Sequence, residues 1–166
     1  RRSRKISDDD RRVTAYHESG HTIVTIHTPK ATPVHKVTII PRGIAYLGAT
    51  MMLPTEDRYM QSRTELEAEL TSLLGGRAAE ELVFGEITSG AAADIQQATR
   101  IARAMVCTLG MSDRLGTVQY GSRDEHIYLA RELVRSDGYS EQTAREIDLE
   151  IRRIVDEARA RATNLL

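Results

Sequence analysis

The segment YHESGHTIV, residues 16–24, contains the residue types of a metal-dependent hydrolase. His17 and His21 are four residues apart, and Glu18 directly follows the first histidine. On a helix such a pair projects from one face, so both imidazoles can reach one ion at the ~2.0–2.1 Å that zinc requires. The adjacent Glu can then take a proton from a water on the metal, whose pKa zinc lowers to about 7.

Chance is a poor explanation for this segment. With five histidines and 24 acidic residues in the chain, random placement gives roughly 0.02 such matches. The simplest structural alternative is two histidines packed on an apolar helix beside a surface carboxylate. The pattern therefore favours His17 and His21 as metal ligands and Glu18 as general base.

The same segment does not supply a third ligand. His27 has the spacing of the third histidine in HExxHxxGxxH, but Val24 occupies the glycine position, where a β-branched residue disfavours a positive-φ turn. In a continuous helix His27 lies about 9 Å along the axis from His21 and cannot share its ion. His35 and His126 have no ligand spacing.

Carboxylates are the other candidates for a third ligand. Glu80 and Glu81 lie in GGRAAEELVFG, and Asp94 lies in TSGAAADIQQAT. Zincins of the thermolysin kind take a Glu from a later helix, so spacing alone leaves all three open. Asp94 lies among small residues at a predicted helix start, where a carboxylate can approach a crowded site, although Asp is also common there as a cap.

The elements that must position these residues are mostly helical. Helical patterns and capping signals cover 8–28, 62–85, 94–110, 124–135 and a final helix after residue 140. The β-branched segment 34–40 predicts a short strand, and 46–53 a second one that pairs with it as a hairpin or ribbon. Ser62 with Glu65, or Thr64 with Glu67, forms a capping-box pattern at the start of the second helix. Gly75 and Gly76 within that helix indicate a tight helix crossing or a kink.

Composition excludes several classes of function. The 23 basic and 24 acidic residues leave a net charge of -1, which predicts no surface for nucleic acid or for anionic lipid. The single cysteine, Cys107, rules out an internal disulfide and is expected to be a small buried hydrophobe. The length of 166 residues suits one domain. No run of 18 apolar residues occurs in it, so no membrane-spanning helix is predicted within this sequence.

Five blocks in one order resemble the peptidase domain of the FtsH family of membrane-anchored, ATP-dependent (AAA+) zinc metalloproteases. They are TAYHESGHTIV, HKVTIIPRG, LGGRAAEELVFG, TSGAAADIQQATRIARAMV and GMSDRLGTVQYG. The resemblance implies a mainly α fold, a helical zinc-peptidase domain with a small β-strand pair near the active-site cleft. It implies one Zn²⁺ per chain, held by His17, His21 and Asp94. It also implies Glu18 as the catalytic base and Glu80 as a group that orients a ligating imidazole.

The resemblance also implies a wider organisation. Residues 1–9 are expected to be a flexible linker from an ATPase module, and 10–166 the metallopeptidase domain. No G-x-x-x-x-G-K-[ST] sequence occurs, so ATP would bind only through that module, which lies outside this chain. The parent protein is expected to be membrane-anchored, with this domain soluble on the cytoplasmic side, or on the matrix or stroma side in an organelle. A homo-hexamer, or a hetero-hexamer with a paralogue, is the expected assembly, without contact to nucleic acid or membrane.

The predicted function is that of a zinc-dependent endopeptidase acting on unfolded or membrane-extracted proteins. An extended substrate could add to a strand edge within 46–53, and no residue is evident for stabilising the oxyanion. One alternative is a zinc hydrolase of another substrate, with Glu80 or Glu81 as third ligand. Another is a non-proteolytic ring-assembly domain with a vestigial metal site.

Overall fold

The structure, a computed structural model, describes residues 7–40, 48–54, 60–121 and 139–166. These residues form four α-helices and two short strands, which confirms the mainly α prediction. The elements are α1 (Asp8–His27), β1 (Val34–Thr38), β2 (Ala49–Met52), α2 (Arg63–Phe84), α3 (Ala92–Cys107) and α4 (Glu141–Leu165). The helix predicted over 124–135 lies outside the described residues. No helix in the described ranges combines the length and apolarity needed to cross a bilayer.

Local capping chemistry determines where the first two helices begin. The hydroxyl of Ser7 accepts a hydrogen bond from the backbone N–H of Asp10 at 3.0 Å, and α1 begins at Asp8 as predicted. Ser62 and Glu65 form the reciprocal capping box in which each side chain accepts from the other residue's backbone N–H. These bonds satisfy N–H groups that have no partner within a helix.

The bounds of α3 differ from the prediction at both ends. A 3₁₀ turn at Ser89–Ala91 continues directly into the helix, which begins at Ala92 and places Asp94 inside its first turn. The helix ends at Cys107, so the prediction that it extends to Gly110 is wrong. Gly110 lies three residues beyond the helix with a φ of 59°, and the N–H of the next residue, Met111, donates back to the carbonyl of Met105 at 2.8 Å.

The helices α1 and α2 cross at a pair of glycines. A Cβ added to Gly20 would collide with the carbonyl oxygen of Gly75. A Cβ added to Gly75 would lie 2.8 Å from the carbonyl oxygen of Gly20 and 3.1 Å from Cβ of Val24. A tight crossing therefore accounts for Gly75, as predicted, and it brings the histidine-bearing face of α1 against α2.

The apolar core lies where α2, α3 and α4 meet. Leu70, Met105 and Ile147 are its largest fully buried apolar side chains, and burial of each stabilises the fold by about 1.5–3 kcal/mol. Cys107 is buried, as predicted. The helix α4 contributes to this core the side chains of Ile147, Ile151, Ile154 and Ala158, which are buried and lie three or four residues apart.

The two strands form an antiparallel pair beside α1, which confirms the predicted pairing. Val37 lies opposite Thr50, and the register is irregular between Val34 and Lys36, where His35 is exposed. Within the described residues β2 pairs with β1 alone, so its other edge has no strand partner.

Candidate metal centre

Three side chains converge where α1, α2 and the start of α3 meet. The Nε2 atoms of His17 and His21 are 3.0 Å apart, and Asp94 Oδ2 lies 3.1 Å from the first and 3.3 Å from the second. Ligand atoms held at 2.0–2.1 Å from one tetrahedral ion stand about 3.3 Å apart. Both the spacing and the donor types of this group, called here the candidate cluster, therefore fit a zinc ion.

Each imidazole of the candidate cluster is oriented through its second ring nitrogen. His17 Nδ1 donates to Glu80 Oε1 at 2.6 Å, and His21 Nδ1 donates to the main-chain carbonyl of Ser72 at 2.8 Å. Because both acceptors are oxygens, the ring proton lies on Nδ1 and each Nε2 keeps its lone pair for a metal. Glu80 is itself held, since its Oε2 accepts from the backbone N–H of Thr88 at 3.0 Å.

Gly76 makes the space that the two imidazoles occupy. A Cβ added there would lie 2.6 Å from Nε2 of both His17 and His21. Real Cβ atoms essentially never lie closer than 3.0 Å to another heavy atom of this kind. The backbone of α2 therefore approaches the ring nitrogens as closely as a glycine permits. The crossing of α1 and α2 requires a glycine at position 75, whereas the two imidazoles require the glycine at position 76.

Burial and hydrogen bonding act in opposite directions on the charges of the cluster. Burial lowers the pKa of His17, but hydrogen bonds to Asp94 and Glu80 outweigh that effect and raise it above the ordinary value. Burial likewise raises the pKa of Asp94, and hydrogen bonds to His17 and His21 reverse the effect, lowering it to about 2. Asp94 is therefore ionised at neutral pH, which metal ligation requires of a carboxylate.

Glu18 lies beside the candidate cluster and shares its cleft. The residue is 7% exposed and lines, together with the three cluster residues, a cleft of about 710 Å³. Its Oε2 accepts a hydrogen bond from Thr50 Oγ1 at 2.6 Å. A carboxylate in this place can exchange a proton with a water in the cleft.

The other candidate ligands lie away from the cluster. Glu81, although adjacent to Glu80, accepts two hydrogen bonds from Arg159 of α4 at 2.7 and 2.8 Å. His27 is exposed at the end of α1, where its Nδ1 donates to the carbonyl of Ile23 at 2.8 Å. His126 lies outside the described residues. Among those that are described, the candidate cluster is the one His, Cys, Asp and Glu group arranged to hold a metal.

Apart from Glu80, which the resemblance implied, the groups that support the cluster were not predicted from the sequence. Ser72 acts through its carbonyl and Thr88 through its N–H, and backbone groups leave no residue-type signal. Thr50 donates to Glu18, which lies 32 positions earlier in the chain, and local sequence spacing cannot predict a contact over that distance. Only Gly76 left a visible sign, as the second glycine of a pair within a helix.

Comparison with known proteins agrees with this geometry. A family model described as peptidase family M41 matches residues 4–166. Proteins named ATP-dependent zinc metalloprotease FtsH match all 166 residues of this chain: that of Kosmotoga olearia is 55% identical, that of Rubrobacter xylanophilus 54% and that of Thermotoga maritima 50%. The matched region is 26%, 25% and 27% of those proteins, so the chain spans about a quarter of their length.

Proposed function

Because this chain belongs to peptidase family M41, as its resemblance to FtsH proteases predicted, we propose that it is a zinc-dependent endopeptidase domain. The observation that carries the proposal is the convergence of His17, His21 and Asp94, with ligand atoms 3.0 to 3.3 Å apart. The engagement of both Nδ1 atoms supports it further, because it leaves both Nε2 atoms available for a metal.

The chain's own residues have separate tasks in this mechanism. His17, His21 and Asp94 would hold the ion, and Glu80 keeps the His17 proton on Nδ1. When bound, zinc supplies Lewis-acid chemistry, polarising the scissile carbonyl and lowering the pKa of a water to about 7. Glu18 takes the proton of the attacking water on its carboxylate and returns it to the nitrogen of the leaving amine.

The edge of β2 offers a place for an extended substrate. In the described part of the chain this strand pairs with β1 alone, and its residues Ala49, Thr50 and Met52 line the cleft that contains the candidate cluster. A peptide that adds to this edge would be held by main-chain hydrogen bonds, which select weakly for sequence. Such binding suits unfolded segments of many proteins.

The substrates and assembly of the whole protein are inferred from the resemblance and from the names of the relatives. We propose that it degrades unfolded or membrane-extracted proteins, driven by an AAA+ module that uses ATP and to which residues 1–9 provide the link. We also propose a membrane-anchored hexamer of identical or paralogous chains, with this domain on the cytoplasmic, matrix or stroma side. The names of the relatives describe ATP-dependent zinc proteases, which supports the ATP and zinc requirements.

Substitutions in the cluster test the proposed function. The whole protein, supplied with ATP, should hydrolyse casein, lose that activity in a chelator and regain it with Zn²⁺. Glu18→Gln should retain one zinc per chain yet lose activity by about 100-fold or more, because it removes the proton acceptor. Asp94→Ala should lose zinc. Glu81→Gln is the matched control and should keep both.

Two outcomes would contradict these assignments. Full activity in Glu18→Gln would exclude this residue as the general base. Zinc content unchanged in Asp94→Ala would exclude it as the third ligand and would reopen the assignment of a different carboxylate.

A further inference from the structure

The Glu18 side chain needs support to act as a base, because a carboxylate on a flexible stem can take several orientations. Thr50 Oγ1 donates to Glu18 Oε2 at 2.6 Å, a short distance typical of a hydrogen bond to an ionised group. The same hydroxyl lies 3.3 Å from the main-chain carbonyl oxygen of Glu18. Within the described part of the chain no other hydrogen bond to this carboxylate is formed.

The strand β2 holds the Thr50 hydroxyl in place. Thr50 lies opposite Val37 in the antiparallel pair, and its β-branched side chain has few χ1 rotamers. Side chains alternate along a strand, so Thr50 faces α1 whereas Met51, 46% exposed, points away from it. The position of the hydroxyl is therefore determined by the sheet rather than by a mobile side chain.

Gly48 keeps the other side of the carboxylate open. A Cβ added at this position would lie 2.9 Å from Glu18 Oε1 and 2.6 Å from Cγ2 of Thr14. The glycine thus lets the start of β2 approach α1 closely while it leaves space beside Oε1. Thr50 donates to Oε2 of Glu18, and no described residue donates a hydrogen bond to Oε1.

We propose that Thr50 is a positioning residue for Glu18, holding Oε2 so that Oε1 is presented to the attacking water. The inference rests on the proposed function, since it concerns the base of that reaction. Thr50 acts through Glu18 and not on the metal ligands. Loss of its hydroxyl should therefore reduce kcat while KM and zinc affinity stay unchanged.

Three substitutions in the purified protein test this role. Thr50→Val removes the hydroxyl with little change in shape and should lower kcat about tenfold, as misplacement of a catalytic group does. KM and zinc content should remain within about twofold of wild type, because the backbone edge and the cluster are intact. Thr50→Ser should restore most of kcat. Thr38→Val is the matched control on β1, where the hydroxyl accepts from the N–H of Ile40, and it should leave kcat unchanged.

A second measurement needs neither zinc nor catalysis. In metal-free protein that retains Glu18, Thr50→Val should raise the equilibrium constant for unfolding about tenfold, as expected when a hydrogen bond to a charged group is lost. In a Glu18→Ala background the same substitution should have little effect. The difference between the two backgrounds isolates the pair, because each single variant removes the contact.

The outcomes separate this inference from the proposed function. Unchanged kcat in Thr50→Val, an equal loss in Thr50→Ser, or no coupling in the unfolding cycle would each overturn the positioning role. Absence of chelator-sensitive hydrolysis in the wild type would remove the proposed function, and the positioning role with it. Chelator-sensitive hydrolysis in the wild type together with an unchanged kcat in Thr50→Val would remove the positioning role alone.

Discussion

Gly76→Ala should weaken zinc binding far more than it weakens folding. The new Cβ would lie 2.6 Å from Nε2 of both His17 and His21, and it needs at least 3.0 Å. The rings or the α2 backbone must therefore move by about 0.4 Å or more, whereas zinc–ligand distances tolerate only about 0.2 Å. The substitution thus displaces two ligands at once.

The two consequences of Gly76→Ala differ in size. In the metal-free protein, overpacking costs about 1–3 kcal/mol, and the better helix propensity of Ala returns about 1 kcal/mol. Net destabilisation should therefore be about 2 kcal/mol or less. Changes to groups that merely orient a ligand weaken metal binding about 10–100-fold. Direct displacement of both imidazoles should weaken it by about 100-fold or more.

Zinc competition against a chromophoric chelator measures the affinity, and urea unfolding in the presence of a chelator measures the stability. Gly75→Ala is the matched control, because its Cβ would lie 2.8 Å from the backbone oxygen of Gly20 and not beside the imidazoles. That variant should lose mainly stability. Zinc affinity within about tenfold of wild type in Gly76→Ala, or an equal loss of affinity in the folded control, would refute the reasoning.

Further substitutions test single contacts. Glu80→Gln replaces the charged acceptor of His17 with a weaker one, and zinc affinity in the chelator competition should fall about 10–100-fold. His27→Ala should leave zinc content unchanged by elemental analysis, because among the described residues this side chain hydrogen-bonds only to Ile23 of its own helix. The hydrogen bond from Arg153 holds the pKa of Glu150 below its usual value in the folded protein. The pair therefore stabilises the fold at pH values above the pKa that this carboxyl has in the unfolded chain. That stabilisation is lost as the pH falls through the lower pKa of the folded state. Glu150→Gln should therefore cost about 1–2 kcal/mol in urea unfolding at pH 7, with the difference from wild type vanishing in strong acid; a constant difference at all pH values would show that charge is not the cause.

Local chemistry made the helices and the histidine pair predictable. The capping box of Ser62 and Glu65 depends on residues three apart, and it forms as the sequence indicates. Helical periodicity likewise placed His17 and His21 on one face of α1, where their Nε2 atoms are 3.0 Å apart. The helix α3 ends at Cys107, three residues before Gly110, although the N–H of Met111 still donates to the carbonyl of Met105. A glycine near a helix end does not by itself show at which residue the helix ends.

Spacing could not choose among the three carboxylates for the third ligand position. Glu80 and Glu81 are neighbours on one helix, yet their side chains point about 100° apart, so one reaches His17 and the other Arg159. Asp94, 77 residues from His17, reaches the histidines because α1 and α3 both pack against α2. Resemblance to a family implied this set, but the residue types by themselves left it open.

The sequence by itself determined two ligand candidates and a base, because those three residues lie within five positions of one helix. Only the tertiary structure decided which carboxylate lies within reach of both histidines, which oxygen accepts from each imidazole and which hydroxyl donates to Glu18. These choices depend on the crossing of α1 over α2 and on the placement of α3 and β2. The placement of these elements depends on how the whole apolar core packs. The spacing of residues within a short segment therefore cannot predict it.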